Sequence, residues 1–348
     1  MSDQQTHILM TGGGAPGAAG ILKCLAAEKN YKVTVADANP EVVGKYLSKN
    51  FEVIPVGDDP GFIEKVLAVC KKNKIDIILP LVTRELLSFS GNNSLFEKQG
   101  IKVLVSPAES IEIANNKSSL YEFLQWRGIA VPEFRIVETP DQFLIAVKEL
   151  GYPHNPVCFK PSVSNGSRGF RILDNKIDET DILFNQKPGA AYINYDEAVR
   201  ILSVKEFPQL LVSEYLTGDE YSVDCLANKG EMIIAVPRLR KKTINGISVA
   251  GTFVNNRPII DYCRQIINEL KLHGNIGIQV KASGKNEFLL LEINPRVQGT
   301  ISAGLGAGIN LPVLAIKQEL GEPISVNELN VKWGTEFYRY WEDLFNPA

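Results

Sequence analysis

The stretch IGIQVKASGKNEFLLLEINPR, residues 276–296, decides the fold. Two apolar runs, 276–282 and 287–293, flank Ser283-Gly284-Lys285-Asn286, a tetrad rich in turn formers, so the segment reads as a hairpin. Residues i and i+2 share a face in extended chain, which points Glu292, Asn294 and Arg296 the same way, across from the strand that carries Gln279. Glu292 closes the run Phe288-Leu289-Leu290-Leu291, and a charge leaving a buried strand needs a partner. The set offers hard oxygen donors and one cation. Mg²⁺ takes carboxylate and amide oxygens and leaves its other positions to water and phosphates. Arg296 beside it is suited to a terminal phosphoryl group. The competing reading is an ordinary charged strand end.

Three upstream segments belong with this hairpin. Val157-Cys158-Phe159-Lys160-Pro161 is an apolar strand that ends in a lysine, costly unless its charge is used or it snorkels to solvent. Ser162 to Gly169 follows directly, a loop of small hydroxyl and glycine residues. Backbone N–H groups around Ser164, Gly166, Ser167 and Gly169 could cradle phosphate oxygens, and Arg168 adds a charge-assisted contact. A plain hairpin loop has the same composition. Leu211 to Asp224 runs as an apolar strand into Glu214-Tyr215-Leu216, turns at Gly218 and re-enters a strand through Glu220. Its backbone could meet an adenine edge and its carboxylate ribose hydroxyls, or it is a solvated surface hairpin. Arg238-Leu239-Arg240-Lys241-Lys242 follows the apolar strand 231–237 and reads as a basic turn, with Arg238 or Arg240 able to orient a substrate carboxylate or phosphate.

The first hundred residues alternate strand and helix. Strands are expected at 7–11, 32–36, 52–56, 75–81 and 102–105, with helices at 18–29, 61–72 and near 85–98, the pattern of a doubly wound parallel sheet. IDIILPL at 75–81 is apolar throughout, as a strand covered on both faces would be. From about residue 108 the texture changes. Helices are expected at 109–127, 141–150, near 257–271 and at 311–320, among strands at 156–160, 169–173, 210–216, 220–227, 231–237, 276–282 and 287–293. Val331 to Trp341 reads as a strand or clasp with Trp333, Phe337 and Trp341 packed on the core; a dimer contact is the alternative.

Gly12-Gly13-Gly14-Ala15-Pro16-Gly17 satisfies G-x-G-x-x-G between a strand and a helix, and Asp37 stands 20 residues past Gly17. That is the context of a dinucleotide site, and it opens a second reading as an NAD(P)-dependent oxidoreductase. Pro16 inside the turn, and the run of Asp37 into Ala38-Asn39-Pro40, suit a packing turn equally.

Composition sets the outer limits. The 348 residues carry 37 Lys and Arg against 40 Asp and Glu, a net charge of −3, which argues against a nucleic-acid footprint. A hydrophobic fraction of 45% excludes disorder. The five cysteines are scattered and never in C-x-x-C, which argues against zinc and against a disulfide framework and fits a reducing, cytoplasmic setting. Three histidines make a His-rich metal site implausible. The polar start MSDQQTH lacks signal-peptide character, and no run reaches the roughly 18 apolar residues of a membrane span.

Taken together, these segments resemble the ATP-grasp enzymes, most of all the branch that includes carbamoyl phosphate synthetase, over nearly the whole chain. Asn116-Lys117 and Gly128-Ile129-Ala130-Val131-Pro132 resemble that family's lysine-bearing helix and its exit. The resemblance implies an α/β protein in which a Rossmann-like preceding domain, 1–107, is followed by an α+β ATP-grasp fold, 108–348, of two subdomains. These would be a lid of about 133–216 and a metal and substrate part of about 217–348. It implies that Lys117 and Lys160 meet ATP phosphates or the adenine edge, and that the loop Ser162–Gly169 closes over the triphosphate. Glu214, Tyr215 and Leu216 would line adenine, and Glu220 would take the ribose. Gln279, Glu292 and Asn294 would hold Mg²⁺, with Mn²⁺ as a substitute, and Arg296 would face the γ-phosphate or acyl phosphate. The implied activity joins a small carboxylate to an amine or related nucleophile through an acylphosphate, with no nucleic acid or membrane involved and a homodimer allowed. The chain is too short for the duplicated synthetase, so carbamoyl phosphate synthesis itself is not expected. A non-catalytic ATP-binding regulator is the third reading.

Overall fold

The computed structural model describes residues 5–164, 166, 168–185, 191–284 and 287–345. It divides into two compact units. One comprises residues 1–114, 220–280 and 291–348, the other 115–219 and 281–290.

The larger unit opens with β1 (Thr6–Thr11), α1 (Ala18–Leu25), β2 (Tyr31–Asp37), α2 (Val43–Leu47), β3 (Asn50–Val53), α3 (Phe62–Asn73), β4 (Ile77–Leu79), α4 (Leu86–Gly91), α5 (Asn93–Glu97), β5 (Lys102–Val103) and α6 (Ala108–Asn115). The strands form one parallel sheet in the order β3-β2-β1-β4-β5. Side chains alternate across a strand. Ile8 and Met10 of β1 therefore enter one core, with Ile21 and Leu25 of α1, while Leu9 enters another with Phe62, Phe89 and Phe96. Both faces are covered, which is why the strands read as continuous apolar runs. The order of connection reverses between β1 and β4. That switch point is where open α/β sheets bind ligands, outside the carboxyl ends of the strands.

The smaller unit holds α7 (Lys117–Trp126), β6 (Phe134–Val137), α8 (Pro140–Glu149), β7 (Val157–Pro161), β8 (Arg171–Leu173), α9 (Glu179–Asn185), α10 (Tyr195–Leu202) and β9 (Leu210–Glu214). Its antiparallel sheet runs β6-β9-β7-β8. Val157, Phe159 and Val212 pack on Phe143 and Val147 of α8. That helix starts at a capping box between Thr139 and Gln142, with Pro140 in the first turn.

The chain continues with β10 (Glu220–Asn228), β11 (Glu231–Ile244), β12 (Ile247–Phe253), α11 (Arg257–Glu269), β13 (Gly274–Ala282), β14 (Phe288–Asn294), α12 (Leu311–Leu320) and β15 (Glu336–Tyr338). The strands join in the order β14-β13-β10-β11-β12-β15. Leu226, Val236 and Phe253 of this sheet share the core of Ile8 and Met10.

Several expectations are corrected. The helix expected near 85–98 is two short ones, and the helix expected at 109–127 breaks where Asn116 caps α7. The basic turn at Arg238–Lys242 is the middle of β11, a 14-residue strand. The clasp at 331–341 is extended only over Glu336–Tyr338. Phe337 packs on Phe253, ring centroids 5.9 Å apart, but Trp341 is 76% exposed and does not reach the core. Lys285 and Asn286 of the expected hairpin turn lie outside the described residues.

Candidate active site

In the smaller unit the site is built around the start of α7. The Asn116 side chain accepts from the backbone N–H groups of Ser118 and Ser119, which fixes Lys117 as the first helical residue. The Lys117 backbone N–H donates to Ser162 O at 2.8 Å, and its Nζ donates to Ser164 O at 2.8 Å and meets Ser164 Oγ at 3.4 Å. The Ser118 and Ser162 hydroxyls are 2.6 Å apart. The entry to the loop is thus tied to the helix that carries the lysine. Beyond it, Gly169 has φ +76°, and a Cβ there would meet the Pro161 ring at 2.7 Å, so only glycine fits. Gly166 and Arg168 are exposed; Ser167 lies outside the described residues.

Lys160, on β7, places Nζ 5.6 Å from the Tyr121 ring centroid. Glu214 ends β9, and its Oε1 accepts the Glu133 backbone N–H at 2.9 Å. The Tyr215 N–H donates to Pro156 O at 3.1 Å, and Leu216 is buried. Cys158 is buried, its Sγ 3.4 Å from Ser213 Oγ, and burial pushes its thiol pKa up. Lys281 joins this group although the sequence reading passed over it. Its Nζ is 4.4 Å from the Tyr215 ring centroid and 3.4 Å from the Tyr215 hydroxyl. The signal was available: Lys281 stands two residues after Gln279 on one strand, hence on one face.

In the larger unit, Glu292 and Asn294 lie on β14 and Gln279 on the neighbouring β13. Asn294 Nδ2 donates to Glu292 Oε1 at 3.3 Å, and Arg296 Nη2 donates to Asn294 Oδ1 at 3.2 Å. Arg296 also donates through Nε to Thr83 Oγ1 at 2.9 Å and through Nη1 to Val297 O at 3.0 Å. Burial lowers the Arg296 pKa and Glu292 opposes the shift. The guanidinium stays charged at neutral pH. Glu292, Asn294 and Arg296 therefore form one hydrogen-bonded row. Arg240 pairs with Glu220 and donates to Gln279 Oε1 at 3.3 Å, while its Nε reaches Ser248 Oγ at 3.1 Å. Glu220 and Gln279 are thus brought together by Arg240.

One glutamate carboxylate and two amide oxygens make an oxygen-only donor set, which fits Mg²⁺ and not a soft metal. Among the described residues, no group of three or more His, Cys, Asp or Glu could hold a metal ion.

Arg238 is the correction. It is 1% exposed, and its Nε donates to Asp224 Oδ2 at 2.8 Å while its guanidinium lies 5.6 Å from the Phe337 ring. Position i+2 puts Arg240 on the same face, yet Arg238 is consumed by the core and is not available to a substrate.

The glycine turn is occupied by the protein itself. Asp37 accepts the Gly14 and Asn39 N–H groups, each at 2.8 Å. The Gly14 N–H, which a pyrophosphate would use, holds a carboxylate instead, and the Gly13 and Ala15 N–H groups donate to Ala36 O and Gly12 O. A Cβ at Gly12 would meet Val82 Cγ2 at 2.5 Å, and one at Gly17 the Gly299 Cα at 2.6 Å, so these glycines serve packing.

Residues 206–337 match the family described as ATP-grasp in the biosynthetic pathway with Ter operon, and residues 8–104 match the PylC-like N-terminal domain. The carbamoyl phosphate synthase large chain of Lachnoclostridium phytofermentans is 25% identical over 317 residues, covering 86% of this chain and 27% of that one. That of Thermus thermophilus is 24% identical over 318 residues, with 88% and 28% covered. The chain thus spans about a quarter of the length of the curated relatives it matches. Among solved structures, an ADP complex of N5-carboxyaminoimidazole ribonucleotide synthetase is similar with a TM-score of 0.69 at 17% identity, over 94% of this chain and 80% of that one. Biotin carboxylase from Campylobacter jejuni is similar with a TM-score of 0.68 at 15% identity, over 96% and 75%. Residues 206–337 thus carry an ATP-grasp match and residues 8–104 a PylC-like N-terminal match, and most of the chain is similar to carbamoyl phosphate synthase large chains.

Proposed function

We propose that the protein is an ATP-dependent ligase that joins a small carboxylate to an amine or related nucleophile and releases ADP and phosphate. The observation that carries the reading is the row Glu292–Asn294–Arg296, in which a carboxylate, an amide oxygen and a guanidinium are hydrogen-bonded in sequence on one strand end. Glu292, Asn294 and Gln279 would hold Mg²⁺, which neutralises phosphate charge when bound. Lys117 and Lys160 contact the phosphates, and the loop from Ser162 to Gly169 covers them. Glu214, Tyr215 and Leu216 receive adenine and Glu220 the ribose. Arg296 meets the charge that develops on the transferred phosphoryl group.

A substrate carboxylate oxygen bonds to the γ-phosphorus as the bond from that phosphorus to the β,γ-bridging oxygen breaks, giving acylphosphate and ADP. The amine nitrogen then bonds to the acyl carbon, phosphate leaves with the C–O bonding pair, and the nitrogen loses a proton. The chain contributes positioning and charge. Residues 1–107 are read as the preceding domain and 108–348 as the grasp domain, with a lid of about 133–216. The five free cysteines are all buried, and no described helix is long and apolar enough to cross a membrane. A reducing cytoplasmic setting suits this pattern.

An ADP-release screen across pairs of small carboxylates and amines tests the proposal. Glu292→Gln should abolish ADP formation with the active pair. Retained turnover would refute the assignment.

A further inference from the structure

Arg240 has no task in the chemistry above, yet its side chain is only 6% exposed and is bonded through all three of its nitrogens. Nε donates to Ser248 Oγ at 3.1 Å and Nη2 donates to Gly246 O, which anchors the guanidinium to the hairpin between β11 and β12. Nη1 donates to Glu220 Oε1 on β10 and to Gln279 Oε1 on β13, the latter at 3.3 Å. The strands β13, β10 and β11 are neighbours in that order, so the side chain crosses β10 to reach Gln279. Adjacent strands lie about 4.8 Å apart, and only a long side chain covers two such steps.

Gln279 poses a problem that Glu292 does not. An amide ends in an oxygen that accepts and an NH₂ group that donates. The two ends are nearly equal in size, so packing alone does not choose between them. A carboxylate presents oxygen whichever way it turns, whereas an amide can ligate Mg²⁺ through its oxygen only. A guanidinium has donors and no acceptor, so the end of Gln279 that Arg240 holds is the oxygen. Reversing the amide would set N–H against N–H and give up a charge-assisted bond. That oxygen has two lone pairs; Arg240 takes one and the second stays available. Glu220 pairs with the same Nη1 and neutralises the guanidinium beside a position proposed for a cation.

We propose that Arg240 is a positioning residue that sets which end of the Gln279 amide faces the Mg²⁺ position, and that its anchors on Ser248 and Gly246 make the β11–β12 hairpin part of that setting. This rests on the ligase reading, with Gln279 as a metal ligand, and deepens it: Arg240 acts through Gln279 and touches neither substrate nor metal.

The test measures binding, not turnover. The full chain is titrated by calorimetry with the Mn²⁺ complex of the β,γ-imido analogue of ATP and, in EDTA, with the metal-free analogue; bound Mn²⁺ is read separately from its enhancement of water-proton relaxation. Arg240→Lys keeps a cation next to Glu220 but loses the planar fork that serves several acceptors at once. It should weaken binding of the Mn²⁺ complex about tenfold, the low end for losing the partner that orients a metal ligand, and leave binding of the metal-free analogue unchanged. Gln279→Glu removes the need for orientation, so in that background Arg240→Lys should cost less than about twofold. A merely structural defect would appear equally in both backgrounds. Ser248→Ala, which removes only the Nε anchor, should act in the same direction by a smaller factor, and it serves as the test if Arg240→Lys does not fold. Equal losses in the two backgrounds, an equal loss for the metal-free analogue, or no loss in either Arg240→Lys or Ser248→Ala would overturn the proposal. A wild type that binds the analogue no better with Mn²⁺ than without it would overturn the metal assignment of Gln279 and Glu292, and this proposal with it.

Discussion

Arg238 and Asp224 form an ion pair 1% and 2% exposed, and this burial sets the size of a measurable effect. The pair is imperfect. Only Nε to Oδ2 is bonded, while Arg238 Nη1 and Nη2 and Asp224 Oδ1 are buried with no hydrogen-bond partner. Burial pushes the Asp224 carboxyl pKa up and Arg238 pulls it back. Attraction within a buried pair roughly offsets its desolvation, but removing one partner strands the other charge, at about 3–5 kcal/mol. Asp224→Leu and Arg238→Met alone should each lower stability by about that much, read as a drop in urea midpoint at unchanged slope. The double variant leaves no charge behind and should return to wild-type stability or exceed it by about 1–4 kcal/mol. Because Arg238 is held in the core, the folded double variant should keep its ADP-forming rate and its KM for the carboxylate substrate. A loss below about 1 kcal/mol in Asp224→Leu would refute the reasoning, as would a double variant as unstable as the two singles together. A folded double variant with a KM raised tenfold would return Arg238 to the substrate site.

Two further outcomes follow from the same side-chain environments. Burial raises Glu85 from 4.5 to about 7. The folded state then holds a proton the unfolded chain releases, so this group's stabilisation is complete below about pH 4.5 and is lost as pH rises through 7, by about 3 kcal/mol. Urea midpoints at pH 5 and pH 8 should show that slope in the wild type and a flatter one in Glu85→Gln. Lys117→Ala removes the Nζ contacts to Ser164 and a cation assigned to the phosphates. It should raise the KM for ATP at least tenfold and speed proteolytic cleavage within residues 162–169; an unchanged KM would remove Lys117 from the nucleotide site.

The sequence was most legible where one requirement dictated the residues. The apolar runs of β1 and β4 needed cover on both faces, and the row Glu292–Asn294–Arg296 followed from strand periodicity alone. β11 was the opposite case. Pro237 and the run from Arg238 to Lys242 both argue against a strand interior. Yet Pro237 is paired with Val223, and its carbonyl accepts the Val254 N–H at 3.0 Å, so the strand continues past it. Arg238 enters the core there because Asp224, in a different strand, neutralises it, and no local pattern shows that partnership. The hairpin from β11 into β12 did carry a signal. Asn245-Gly246 is a strong short-range hairpin cue, and both residues have positive φ, 49° and 76°.

The glycine turn shows why a motif can match and mean something else. G-x-G-x-x-G specifies close approach of backbone, and close approach serves a pyrophosphate or a packed neighbour equally well. The neighbours decide, and they lie far along the chain: Val82 against Gly12 and Gly299 against Gly17. Asp37 then determines the charge of the site. In a dinucleotide enzyme an acid at this spacing holds a ribose; here it turns back onto the Gly14 N–H. With that carboxylate on the Gly14 N–H, the turn offers a pyrophosphate a negative charge where it would need a donor. The same geometry removes the oxidoreductase reading.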